Sequence, residues 1–429
     1  MRKKRYLVLS AILSICFLVS STKAQPSIAI QNYISAVDKI AVAPDIKIVG
    51  LGEATHGNSE LQTLKLDVFK ALIEHNNCRI FAIEGDFGGS AKVNDYISGG
   101  NGTAKEAATE IGFAIYKTQE MADLIEWMRN YNQTAPENKK LKFYGFDMQR
   151  YDNSKELLFN YLNKVNKQLS KQYSTLLSDL NDQTVYTQDQ IKVKVAMTKV
   201  DALMKIMMAS KKDFIAQSSE KEFAFALQCA QSIKENATLR SSGTNYANMR
   251  DQYMKDKIDW ILNYEENQML FITGHNGHIE KTSSSAGFTC MGERLATSYG
   301  KAYYAIGTDF LESTFNVVNS SGKDMIITLN NTNALTSQFE NLEDNIYFMD
   351  FIEAKENNEL KKILDTQIAM TNIGAEFNSW QKALKTFYTL KMVPSQAYDG
   401  MIVLQKMHPS TKIQVKVGLN ICRKTYIWI

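Results

Sequence analysis

Short apolar runs alternate with amphipathic stretches over the first third of the chain. The runs "IKIVGL", "RIFAIE" and "LKFYGFD" have the length and the β-branched and aromatic content of buried strands. Apolar residues recur at helical spacing from Ser59 to His75 and again in "EMADLIEWMRNY". Because strands that alternate with helices build parallel sheets with helices on their faces, we predict an α/β fold with a mostly parallel central sheet flanked by helices.

The pattern changes over about residues 152–266. This stretch contains no proline, and its apolar residues recur at helical spacing, as in "ELLFNYLNKV" and "FAFALQCAQSI". The strand and helix pattern then resumes with "QMLFITGHNGH", "MGERLATSY" and "AYYAIGTDF". We therefore predict one α/β domain over residues 25–429, interrupted by an inserted helical subdomain.

The first 24 residues have the pattern of a secretory signal peptide. The basic "MRKKRY" precedes the apolar "LVLSAILSICFLV", and small residues at Thr22 and Ala24 favour cleavage after Ala24. The apolar run is short for a membrane span, so an uncleaved anchor is the less favoured alternative. We predict an exported protein, periplasmic or secreted, with no stable membrane span after cleavage.

Charge and cysteine content narrow the function classes. Removing the five basic residues of the signal segment from 49 leaves 44 against 46 acidic residues, a net charge of −2. No later stretch combines dense Lys and Arg with aromatic residues, so we expect no nucleic-acid partner. The C-x-x-C spacing of a metal knuckle is absent among Cys78, Cys229, Cys290 and Cys422. An exported chain could form disulfides between them, but buried free thiols are favoured. The sequence does not indicate whether the protein is a monomer or an oligomer.

Acids and imidazoles follow four of the predicted strands at the point where each strand ends. They are Glu53 with His56, Glu84, Asp147, and His275 with His278. Because the carboxyl ends of parallel strands meet at one edge of the sheet, we expect these side chains to surround one crevice. Taken singly, each has a structural alternative: Glu53 as a helix cap, His56 as a packed turn residue, "GHNGH" as a polar turn.

Several common catalytic motifs are missing from the sequence. It contains no G-x-S-x-G elbow, no H-E-x-x-H and no G-x-G-x-x-G after a strand. A histidine held by a carboxylate can instead take a proton from water, and a second imidazole or a cation can stabilise an oxyanion. The same Glu and His set could bind a divalent metal. The residues therefore favour hydrolysis by activated water, with a metal-dependent hydrolase as the alternative.

A set of motifs resembles the erythromycin esterase family over nearly the whole mature chain. These are "GLGEATHGNSE", "FAIEGDF", "GFDMQ", "MRDQYM", "GHNGHI" and "YDGMIVLQKMHPS", in that order. The resemblance implies an α/β fold with an added helical part. It also implies hydrolysis of a carboxylic ester by activated water without a covalent intermediate, and the best-known members open the lactone ring of macrolide antibiotics.

The resemblance also implies roles for individual residues. His56 would be the general base, supported by Glu53 and Glu84, and His275 would bind the substrate carbonyl or assist proton transfer. The residues that the resemblance would place at the substrate are His278, Lys65, Arg250 and Asp147. Lys65 stands where some members have arginine, and Tyr116 and Ser313 stand where tryptophan and glycine are expected.

We therefore expect a small-molecule ester as the substrate and no cofactor, with the divalent metal as the alternative. A second alternative is a non-catalytic binding protein related to polysaccharide metabolism, because some relatives resemble proteins of exopolysaccharide pathways.

Overall fold

The computed structural model describes residues 29–285 and 287–413, so the predicted signal peptide and Cys422 lie outside the described residues. The strands within this range are β1 (Ile48–Glu53), β2 (Ile80–Asp86), β3 (Lys142–Asp147), β4 (Leu270–His275), β5 (Tyr303–Val318), β6 (Asp324–Asn330), β7 (Ile346–Asp350), β8 (Ile368–Thr371), β9 (Thr389–Met392) and β10 (Gly400–Met407).

Eight of these strands form the central sheet of the described residues. Seven follow the order β3-β2-β4-β1-β5-β10-β7, and β6 pairs with β5 alone. All neighbours from β3 to β10 are parallel, whereas β7 and β6 are antiparallel additions. Strands β8 and β9 form a separate antiparallel pair. The predicted mostly parallel α/β sheet is therefore confirmed.

Helices cover both faces of the sheet and fill the insertion. They are α1 (Ser59–Asn76), α2 (Phe87–Ile97), α3 (Ala104–Glu110), α4 (Gln119–Thr134), α5 (Asp152–Val165), α6 (Lys167–Leu176), α7 (Gln190–Ala209), α8 (Lys211–Ala216), α9 (Glu220–Arg240), α10 (Tyr246–Tyr264), α11 (Asn276–Ile279), α12 (Met291–Tyr299), α13 (Phe351–Ala354), α14 (Asn358–Leu364) and α15 (Pro394–Ala397). None of the helices in residues 29–285 and 287–413 has the length and apolar character that a bilayer crossing requires.

Two hydrophobic layers lie on opposite faces of the sheet because successive strand residues point in opposite directions. On one face Val49 packs in a cluster that includes Phe69 of α1. On the other face Ile48 packs in a cluster that includes Ile258 of α10 and Leu295 of α12. Strands buried on both faces read as continuous apolar runs, which is why "IKIVGL" and "RIFAIE" lack alternation.

The insertion runs from α5 to α10 between β3 and β4, so the α/β fold with a helical insertion is confirmed. It has its own core, in which Leu162, Val200 and Ile233 are fully buried. Phe87, at the start of α2, belongs to the same cluster, and its ring packs against Trp260 at a centroid distance of 5.5 Å. The insertion therefore packs on the sheet domain through α2.

Strand order brings the chemically interesting strand ends together. Strands β3, β2, β4 and β1 are consecutive neighbours in the sheet. In the β1–β4 register, Glu53 lies beside His275. Strand β4 lies between β1 and β2 in the sheet. The loops that follow these three strands therefore surround one crevice at the carboxyl edge of the sheet, as at the switch points of open α/β sheets.

Candidate active site

A hydrogen-bonded carboxylate and imidazole occupy the turn after β1. Glu53 Oε1 lies 2.9 Å from Nδ1 of His56, and both side chains are buried. Burial raises the pKa of Glu53, but the Lys65 ammonium and the His56 imidazole outweigh it and lower the pKa to about 2. The ionised carboxylate can only accept, so Nδ1 carries a proton, and in the neutral ring the lone pair is on Nε2.

Lys65 of α1 supports this pair from behind. Its Nζ donates to Glu53 Oε2 at 2.8 Å and to Gln62 Oε1 at 3.0 Å, and its side chain is fully buried. An ammonium without solvent needs such partners, because leaving it unpaired in the interior is very costly. Lys65 therefore contacts the Glu53–His56 pair and not the cavity described below.

Arg250 of α10 joins two further strand ends. Its Nη2 donates to Glu84 Oε1 at 2.7 Å and to Asp147 Oδ2 at 2.6 Å. Burial raises the pKa of Glu84, but the His278 and Arg250 side chains hold it well below its usual range. The guanidinium thus holds β2, β3 and the insertion helix α10 together at the site.

A second carboxylate–imidazole pair is formed by His278 and Asp251. Nδ1 of His278 lies 2.8 Å from Asp251 Oδ1, and its Nε2 lies 3.1 Å from Nη1 of Arg250 and 3.5 Å from Glu84 Oε1. Burial lowers the pKa of His278, but Asp251 and Glu84 outweigh it and raise the pKa. Because a carboxylate only accepts and a guanidinium only donates, Nδ1 of His278 carries a proton and Nε2 accepts from Arg250 in this conformation.

His275 is held on both ring nitrogens by backbone groups. Nε2 lies 3.1 Å from the carbonyl oxygen of Ile373, and Nδ1 accepts from the Gly277 N–H at 3.3 Å. Because a carbonyl only accepts, the proton is on Nε2. Burial, together with the neighbouring His56 and His278, lowers the pKa of His275 to about 3, so the ring is neutral. His275 thus fixes the segment that begins at Ile373.

These side chains surround a cavity of about 230 Å³. The strand ends and α10 contribute His56, Glu84, Asp147, Arg250, His275 and His278 to its lining. The opposite walls are Phe113 and Ile115 from the loop before α4, and Gly374, Ala375 and Glu376. The rings of His56 and His275 are 5.0 Å apart between centroids. The structure therefore brings His56, Glu84, Asp147, Arg250, His275 and His278 around one cavity, with Glu53 bound to His56.

Carboxylates, imidazoles and one guanidinium make up the polar lining of the cavity. In the described part of the chain, no three His, Cys, Asp or Glu side chains form a cluster that could hold a metal ion. The Arg250 guanidinium lies between Glu84 and Asp147 and already occupies the carboxylate oxygens that a cation would need. The thiols of Cys78, Cys229 and Cys290 are free and buried.

Some residues of this site were not found by sequence reasoning. Asp251 directly follows Arg250, and adjacent residues of a helix point about 100° apart. No sequence pattern therefore linked Asp251 to His278. The backbone carbonyl of Ile373 and the wall from Gly374 to Glu376 come from an irregular segment without a motif. Tyr116, noted only as a departure from the family pattern, is fully buried near Lys65, whose Nζ lies 5.9 Å from its ring centroid.

Comparison with known proteins identifies the family. The model of the erythromycin esterase family matches residues 73–407. This chain belongs to the erythromycin esterase family. The matched range begins beyond Glu53 and His56 and includes the other strand ends.

Relatives agree with this assignment at low identity. Erythromycin esterase type II of Escherichia coli is 25% identical over 294 residues, which are 61% of this chain and 68% of that protein. A Bacillus cereus protein of known crystal structure matches with a TM-score of 0.74 and 24% identity, over 86% of this chain and 90% of that chain. A mutant of erythromycin esterase EreC in its open conformation matches with a TM-score of 0.64 and 15% identity, over 86% of this chain and 93% of that one.

These structural likenesses show a shared fold, and the family membership supports a hydrolase of the esterase type.

Proposed function

We propose that this protein hydrolyses a carboxylic ester with a water molecule that His56 activates. The observation that carries the proposal is the Glu53–His56 pair, in which Nδ1 is bound and Nε2 remains available beside the cavity. In the described residues, no side chain or backbone group hydrogen-bonds to Nε2. A general base needs this arrangement of an oriented imidazole with one free nitrogen.

The reaction needs two proton movements. Nε2 of His56 accepts a proton from water while the water oxygen attacks the ester carbonyl carbon. The tetrahedral intermediate then expels the alkoxide, which takes up a proton from the imidazolium, and the products are a carboxylic acid and an alcohol. The ionised Glu53 stabilises the imidazolium that forms between the two steps, and Lys65 keeps Glu53 ionised.

The developing oxyanion requires positive charge on the other side of the cavity. The Arg250 guanidinium is the cationic group there, and His278 contacts it through Nε2. We assign the stabilisation of the oxyanion to Arg250, which His278 helps to position, because preorganised donors in a water-poor site are effective. His275 positions the wall that begins at Ile373 and, in this conformation, has no ring nitrogen left for substrate.

We extend the proposal to macrolide lactones because the relative from Escherichia coli carries the name erythromycin esterase. A cavity of about 230 Å³ holds an ester group and its neighbouring atoms, whereas drug-sized ligands occupy about 300 Å³ or more. A macrolide would therefore place its lactone edge inside and the rest of the ring outside.

Mass spectrometry tests both levels of the proposal. The chain from Gln25 is incubated with a macrolide panel and with small aryl and alkyl esters, with His56→Ala as the control. We expect the wild type to add one water to at least one ester and the variant to add none. Hydrolysis of small esters alone would reject the macrolide substrate, and no hydrolysis of any ester would reject the esterase function. Activity abolished by a chelator, together with stoichiometric bound metal, would favour the metal-dependent alternative.

We also propose that the protein is exported, on the basis of the basic and apolar pattern of residues 1–24. Cell fractionation followed by N-terminal sequencing tests this. We expect the mature chain to begin at Gln25 in the periplasm or medium, and an intact Met1 in the cytoplasm would contradict the proposal.

A further inference from the structure

Helix α7 of the insertion has an apolar ridge on its outer face. Ile191 is 74% exposed, Val195 54% and Ile206 38%. At about 100° per residue, positions 191, 195, 202 and 206 fall within about 60° of one another. We call Ile191, Val195, Ala202 and Ile206 the α7 ridge.

The ridge is separate from the face that packs in the core. Val193, Ala196, Val200, Leu203 and Met207 lie on the inner side of α7 and are buried in the insertion core. The ridge therefore remains uncovered after the helix has made its tertiary contacts. Six of the eleven large apolar side chains that are exposed in the described residues lie between positions 176 and 208, and three of these six are on the α7 ridge.

Lysines flank the ridge on both sides. By helical angle, Lys192 and Lys199 lie on one side, and Lys194 and Lys205 lie on the other. Residues 190–212 contain six lysines and one acid, Asp201.

Few acidic side chains lie near the outer face of α7, and these already have partners. Asp201 pairs with Lys234 of α9 at 2.7 Å, Asp179 lies 3.8 Å from Lys192, and Asp189 caps the helix at Ile191 N–H. The outer face is therefore apolar at its centre and cationic at its edges.

These features select the kind of partner. In a symmetric dimer formed through the ridge, the lysines of one copy would face those of the other, and like charges at close range are unfavourable. An anionic lipid surface fits both the apolar ridge and the flanking lysines, because apolar side chains enter the membrane interface and lysines reach the lipid phosphates. α7 is about 30 Å long, enough to lie along such a surface.

We propose that the α7 ridge docks the protein on an anionic lipid membrane surface. The docking is peripheral and reversible, since only three large side chains enter the interface. It is independent of the hydrolysis at His56, because the ridge lies on the insertion and shares no residue with the catalytic cavity.

Vesicle co-sedimentation tests the proposal with the chain from Gln25, which keeps every described residue and omits the apolar leader. The two vesicle types are pure phosphatidylcholine and phosphatidylcholine mixed with phosphatidylglycerol. One variant carries Ile191→Ser, Val195→Ser and Ile206→Ser, and a second carries Lys194→Gln and Lys205→Gln. The matched control is Ile352→Ser on α13, because Ile352 is 78% exposed and remote in sequence. Circular dichroism melting checks that each variant is folded.

We expect wild type and Ile352→Ser to bind the phosphatidylglycerol vesicles at least tenfold more tightly than pure phosphatidylcholine, with weaker binding at high salt. We expect both the triple and the double variant to lose at least tenfold in binding. Equal binding to the two vesicle types, or binding unchanged in the folded variants, would overturn the proposal. A concentration-dependent dimer in sedimentation equilibrium that the triple variant abolishes would also overturn it, in favour of contact between copies.

Discussion

At the scale of single residues, the site depends on three histidines that differ in their partners. His56 is bound on one nitrogen by Glu53, His275 on both nitrogens by backbone groups, and His278 by Asp251 and Arg250. Burial, together with the neighbouring His56 and His278, lowers the pKa of His275, whereas Asp251 and Glu84 outweigh burial and raise the pKa of His278. Imidazoles whose pKa values are shifted in opposite directions therefore lie in one cavity, and acid–base chemistry can use such a difference.

The neutral state of His275 predicts a pH dependence of stability. Folded His275 stays neutral down to about pH 3, whereas an unfolded imidazole takes up a proton near 6.5. The unfolded state binds more protons between these values, so this residue's contribution to stability is complete above pH 6.5 and falls as the pH decreases. Each pH unit is worth about 1.4 kcal/mol. We expect the stability difference between wild type and His275→Asn to decrease by about 3 kcal/mol from pH 6.5 to pH 4 in urea unfolding.

The control for this experiment is His75→Asn, since the His75 ring lies at the surface and bonds to the Asp38 carbonyl. Its stability difference from wild type should stay nearly constant over the same range. A pH-independent difference for His275→Asn would show that the buried ring is not neutral.

At the scale of elements, much of the fold could be predicted from local patterns. The helix predicted from Ser59 to His75 extends over Ser59–Asn76, and "MGERLATSY" forms α12 from Met291 to Tyr299. The sequence also marked the strand ends that carry Glu53, Glu84 and His275. It did not show that β4 enters between β1 and β2, because strand order depends on long-range packing.

The same limit explains which contacts of the site were missed. Asp251 and the Ile373 carbonyl meet their histidines only in the folded chain. Lys65 was expected at the substrate, and its contact with Glu53 depends on how α1 packs across β1. Local sequence patterns therefore predicted which loops carry the candidate site residues, whereas the hydrogen-bonded pairs among these residues depend on tertiary packing.

The close approach of two elements at the site gives a second prediction. A Cβ on Gly52 of β1 would lie 2.2 Å from Asn276 Oδ1 and 3.1 Å from its Cα, at the start of α11. Asn276 also links to β5, since its Nδ2 donates to the Thr308 carbonyl at 2.8 Å. We expect Gly52→Ala to lower the free energy of unfolding by about 1–3 kcal/mol, measured in urea.

Gly374→Ala is the matched control, because its Cβ would meet no heavy atom within 4 Å. We expect a change of less than about 0.5 kcal/mol for it. Equal stability of the two variants would contradict the close packing of β1 against α11.

At the scale of the whole molecule, a buried ion pair within the insertion lies against α2 of the sheet domain. Lys257 of α10 donates to Glu235 of α9 at 2.9 Å, and its Nζ lies 4.8 Å from the ring centroid of Phe87 in α2. Both charged side chains are buried. Removing one partner leaves an uncompensated charge, which costs far more than the net contribution of the pair.

We therefore expect Lys257→Met to destabilise the protein by about 3–5 kcal/mol in urea unfolding. The double variant Lys257→Met with Glu235→Leu should recover most of that loss, because neither charge is then left in the interior. A double variant that is as unstable as the single one would show that the loss does not come from the charge left unpaired.

The central claim is that His56 is the base that activates water. The most direct test is the kcat of His56→Ala on an ester that the wild type hydrolyses, with His408→Ala as the control, since His408 is an exposed histidine that bonds to Glu60. We predict that kcat falls at least about 1,000-fold for His56→Ala, with the circular dichroism spectrum unchanged, and that the control keeps full activity. A kcat for folded His56→Ala within threefold of the wild-type value would contradict the account.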